Sequence, residues 1–107
     1  MLRAVLEMTV RAGYEGEFRA TWQQTAQAAA LMPGSVSQTL LRDPDSPRTH
    51  LLMADRADSA SLEAFQKSPE RAELSARLET FRESAHKRVL EAVHHIPARA
   101  AREPQPR

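Results

Sequence analysis

Apolar and polar residues alternate from Leu2 to Val10. Leu2, Ala4, Leu6, Met8 and Val10 fall on one side, and Arg3, Val5, Glu7 and Thr9 on the other. Period two over this length predicts a strand with one clearly apolar face. The spacing then changes. Phe18, Trp22, Ala26 and Ala29 or Ala30 recur at three and four residues, opposite Arg19, Gln23, Gln24 and Gln27, which predicts a helix from Gly16 to Leu31. Pro33 disfavours helical geometry at Met32, and Gly34 suits the turn that follows.

Alternation returns from Ser35 to Arg42, with Val36, Gln38, Leu40 and Arg42 on one face. The run Asp43-Pro44-Asp45-Ser46-Pro47 is turn chemistry, and a third strand is expected from Arg48 to Asp55. Its two faces carry Leu51 and Met53 against His50, Leu52 and Ala54; the segment alone does not decide which meets the helices. A helix begins near Ser59, capped by Asp58 or Ser59, with Leu62 and Phe65 inward. Ser68-Pro69 ends it and restarts a second helix, Ser68 as cap and Pro69 in the first helical position. Leu74, Leu78, Phe81 and Ala85 extend that helix to about Lys87, and Val89 to Ile96 supplies a last strand. Residues 1–96 form one domain. Residues 97–107, with three prolines and no large apolar side chain, are expected to be a disordered tail.

The order β-α-β-β-α-β is the split, ferredoxin-like arrangement of the α+β class, an antiparallel sheet with its helices on one face. The other face is left partly apolar, and a second copy of the chain is the usual cover, so a homodimer is expected.

Composition narrows the classes. With 107 residues, 41% of them apolar, the chain has room for one two-layer core. Its net charge of +1 gives no global field for nucleic acid or an anionic membrane. The apolar N-terminus is too short for a membrane span and is interrupted by Arg3 and Glu7. The absence of cysteine excludes disulfides and thiolate metal sites and fits a cytoplasmic protein.

Several stretches read together carry a family likeness: Glu17-Phe18…Trp22, Met32-Pro33-Gly34-Ser35, Leu40-Leu41-Arg42-Asp43-Pro44, and Leu62-Glu63-Ala64-Phe65…Ser68-Pro69-Glu70. Over residues 2–96 the chain resembles the antibiotic biosynthesis monooxygenase domain family, in its aromatic-polyketide-associated type. The resemblance implies a dimeric α+β barrel with a pocket between sheet and helices. It implies oxidation of an aromatic polyketide by O2 without any cofactor or metal, for antibiotic or pigment biosynthesis. A polyketide cyclase of the same fold and a non-catalytic ligand-binding or accessory dimer are the alternatives. Many relatives keep a Trp and a His where this chain has Arg56 and Phe65. The haem-degrading branch relies on an Asn, and this chain has none.

The candidate catalytic residues are His50, a general base for a phenol proton if it faces the helices, and Arg56, a cation for a phenolate or carboxylate. Trp22 is the stacking wall for a flat substrate, although a core aromatic is the plainer role for it. Phe18, Met53 and Phe65 complete the apolar lining, Tyr14 stands at the mouth, and Gln38 is a polar member. His86 is expected at a helix end. His94 and His95 point to opposite faces of one strand, which leaves a metal site little support.

Overall fold

The structure, a computed structural model, describes residues 1–98. Most of the expected tail, residues 97–107, lies outside them. The chain runs β1 (Leu2–Val10), α1 (Glu15–Ala30), β2 (Ser35–Asp43), β3 (Ser46–Arg56), α2 (Ser59–Gln66), α3 (Pro69–Glu79) and β4 (Arg82–Glu91). The four strands form one antiparallel sheet in the order β2-β3-β1-β4. This is the α+β ferredoxin-like arrangement expected from the pattern.

Cross-strand pairs share a face, so the register settles what the sequence left open. Met8 pairs with His50, Leu6 with Leu52, and Ala4 with Ala54. Met8, Val10, Leu52 and Ala54 join Phe18, Leu74 and Leu78 in the core, so this is the face beneath the helices. Val5 pairs with Met53 and Glu7 with Leu51 on the opposite, open face. There Arg3 donates from Nε and Nη2 to the two Asp55 carboxylate oxygens at 2.7 and 3.0 Å, and the Ser37 hydroxyl donates to the same carboxylate.

Local chemistry sets the helix ends. Asp58 caps α2 through a reciprocal box: its carboxylate accepts from the Ser61 amide, and the Ser61 hydroxyl accepts from the Asp58 amide. Ser68 ends α2 by donating to the Phe65 carbonyl, and its oxygen accepts from the Arg71 amide to open α3. Gly34 has a φ of +81° and lies so close to α2 that a Cβ there would collide with the Ser61 side chain. It fixes the corner where β2 meets α2.

The last third departs from the expectation. The helix expected to reach Lys87 ends at Glu79, and the last strand begins at Arg82 rather than Val89. Leu78 ends the helical stripe; Phe81 lies in the turn, where its carbonyl accepts from the Arg11 amide. β4 is an edge strand whose residues past Arg82 are all exposed. It therefore needs no apolar alternation, and pairing with β1 outweighed the helical spacing of its side chains. His86 consequently sits mid-strand opposite Glu7, not at a helix end. His94 and His95 lie beyond the strand.

Candidate functional site

The sheet's helix face carries a row of side chains beneath α1, α2 and α3, and the expected site residues divide among separate places along it. His50 is fully buried, with its ring edge-on to Phe18 at 5.2 Å between centroids. Its Nδ1 lies 3.4 Å from the Arg48 carbonyl, and its buried Nε2 has no protein partner. Burial holds the His50 pKa below the ordinary imidazole value, and the nearby Arg19 and Arg42 charges add to that.

Arg56 is also fully buried. Its guanidinium stacks over the Phe65 ring, 3.9 Å from the centroid, and none of its three side-chain nitrogens has a hydrogen-bond partner. Burial alone lowers its pKa. An unpaired cation in such a place is costly, and the aromatic face offsets only part of the cost.

Trp22 and Gln38 meet in a shallow groove between α1 and β2. The Gln38 amide nitrogen donates to the Ala26 carbonyl at 2.9 Å, while its carbonyl oxygen and the Trp22 indole nitrogen are buried without partners. Tyr14 is exposed, its ring 6.0 Å from Phe81. Met53 is on the open face of the sheet. Its expected place in the pocket lining is corrected by the alternation that puts His50, Leu52 and Ala54 under the helices.

An apolar cleft lies between the sheet and the α2–α3 pair. Its floor is Ala4, Leu6, Leu52 and Ala54, and its roof includes Leu62, Phe65, Leu74 and Leu78. The cavity has a volume of about 60 Å³ and is open to solvent; this is below the roughly 300–1,000 Å³ that ligand sites usually hold. Of the residues singled out from sequence, Phe65 alone lines it. Arg56 stands behind the Phe65 ring, and His50 is not in the lining.

The polar members at this cleft are Gln66, Arg71, Ser75, Arg82 and Lys87. Arg82 is held by contacts of 3.5 Å to Met8 Sδ and Ser75 Oγ and an ion pair of 3.6 Å to Glu79. Burial lowers the pKa of both Arg82 and Lys87, and the Arg71 charge lowers each further. None of these cations was singled out from sequence. Arg82 and Lys87 were hidden by the misplaced end of the last helix, since only the β1–β4 register turns Lys87 toward Leu6. The polar run from Arg82 to Arg88 at the end of an apolar helical stripe was the available signal. Among the described residues, no three His, Asp or Glu side chains come together in a way that could hold a metal ion.

The model of the antibiotic biosynthesis monooxygenase family matches residues 1–77. The chain belongs to that family. No curated protein matches it. Among solved structures it is similar to SnoaB, a cofactor-independent oxygenase from Streptomyces nogalater. The two share 24% identity over 91% of this chain and 97% of that one, with a TM-score of 0.80. A candidate antibiotic biosynthesis monooxygenase from Deinococcus radiodurans is 15% identical over 94% of this chain and all of its own, with a TM-score of 0.81. A conserved protein of Methanosarcina mazei Go1 is 14% identical over 83% of this chain and 89% of that one, at 0.77. At these identities the likenesses speak for the fold. No helix among the described residues is long and apolar enough to cross a membrane.

Proposed function

We propose that the chain is a cofactor-independent monooxygenase acting on an aromatic polyketide-type phenol in antibiotic or pigment biosynthesis. The observation that carries the reading is the apolar cleft between sheet and helices in a chain of this family. An electron-rich anthrone ring, once deprotonated, is itself the reductant of O2. Its CH₂ carbon gains one oxygen atom as a carbonyl, and the second oxygen leaves as water with the two hydrogens. The balance needs no further electron donor. The protein's part is to exclude water, favour the anion and orient the ring. Leu6, Leu52, Phe65, Leu74 and Leu78 supply the dry walls, and Arg82 and Lys87 favour the anion from the cleft's polar end. The same reading places the reaction in a cytoplasmic homodimer that pairs through the open sheet face, where Val5, Leu41, Leu51 and Met53 lie.

O2 uptake with an anthrone, compared in air and under nitrogen, tests this. The expected result is quinone formation in air only; quinone-free turnover without O2 uptake overturns it. Arg56 and Phe65, standing where many relatives keep Trp and His, favour cyclase chemistry as a second reading. That reading requires a changed ring pattern with no O2 consumed.

A further inference from the structure

The polar rim of the cleft is one-sided in charge. Arg71 from α3 and Arg82 and Lys87 from β4 all line it, and no Asp or Glu side chain does. Arg82 has Glu79 at 3.6 Å, outside the lining. Arg71 and Lys87 have no ion-pair partner among the described residues. The three are close enough for the Arg71 charge to disfavour protonation of both others. Three like charges gathered around one recess repel one another, and in the absence of an acid the arrangement is relieved by an anion arriving from outside.

The interior has the opposite character. Leu6, Leu52, Ala54, Leu62, Phe65, Leu74 and Leu78 offer a polar ligand no side-chain acceptor or donor. Arg71 and Arg82 are half-buried and Lys87 is exposed, so the cations stand where the apolar walls give way to solvent. A ligand that satisfies both parts has a flat hydrocarbon body and a single anionic group at one end.

We infer that the cleft selects aromatic acids, with the rings among the leucines and the carboxylate held at the rim by Arg71, Arg82 and Lys87. This rests on the proposed site and extends it by naming the ionic form of the ligand. Arg82 and Arg71 offer forked donors matched to a carboxylate, and Lys87 a point charge beside them.

The test is binding of 2-naphthoate and of its neutral counterpart 2-naphthalenemethanol, followed by calorimetry under nitrogen so that no oxidation is involved. The acid is expected to bind roughly tenfold more tightly than the alcohol, the size of effect two or three solvent-facing ionic contacts supply. The double variant Arg71→Gln, Lys87→Gln, which keeps Arg82, is expected to remove most of the acid's advantage and leave the alcohol unchanged. Lys87→Arg, on an exposed strand position, retains the preference and controls for folding. Equal affinity of acid and alcohol for the unaltered protein overturns the inference, as does a preference undiminished in the double variant. Preference for the acid without O2 uptake on an anthrone defeats the monooxygenase reading alone; O2 uptake without the preference defeats this one alone.

Discussion

The guanidinium carbon of Arg56 lies 3.9 Å from the centre of the Phe65 ring, and of the two residues Phe65 lines the cleft and Arg56 does not. Two residues singled out from the sequence are thus in contact with each other. Because the Arg56 side chain makes no hydrogen bond in the fold, Arg56→Met, which keeps the stem and drops the charge, is expected to raise unfolding stability by about 1–3 kcal/mol. A shift of the urea midpoint at constant slope measures it. A loss of stability would contradict the picture of an unpartnered charge.

His50 gives a pH signature. Its folded pKa lies below the ordinary value near 6.5, chiefly through burial. As pH falls through 6.5 the unfolded chain takes up the proton first, so stability is full above that pH and declines as acidity pulls the equilibrium toward the unfolded state. His50→Leu is expected to flatten this decline between pH 7 and 5, read as the pH dependence of the thermal midpoint (about neutral to mildly acid, the range of histidine titration). An unchanged slope would show that other groups carry it.

The fold was largely legible because its signals are local. Alternation in β1, the Pro33-Gly34 stop, the Asp58 cap and the Ser68-Pro69 restart each belong to a few residues and are all present. The α3–β4 boundary was not legible, because no Gly or Pro marks it and β4 is a solvent-facing edge whose strand state comes from its partner, not from its own pattern. The candidate site suffered from the same error. Stacking residues such as Phe65 show in a helical stripe, but a cationic rim assembled from α3 and β4 exists only once the register is known. Met53 failed for a related reason: a single strand does not say which of its faces is covered.

Two glycines with similar backbones separate strain from collision. Gly13 has φ +88° with open space around it, whereas a side chain at Gly34, φ +81°, meets Ser61. Gly13→Ala is expected to cost about 1–2 kcal/mol of left-handed strain, and Gly34→Ala about 1–3 kcal/mol more from crowding. Denaturant titration of both variants checks the gap, and equal losses would remove the α2 contact from the explanation.

Leu51 and Met53 on the open face give the dimer its test. Leu51→Asp, placed on the open face beside Leu41, puts an unpaired charge into the proposed apolar interface and is expected to yield monomers in sedimentation analysis, with circular dichroism unchanged. A dimer that persists would put the contact elsewhere.

The central claim is that the substrate in the cleft reduces O2 and takes up one of its atoms. Supplying heavy-isotope O2 with an anthrone, and weighing the quinone by mass spectrometry, tests it most directly. The account predicts one labelled oxygen in the quinone and the other in water. A quinone whose new oxygen comes from the solvent, or no quinone at all, would contradict it.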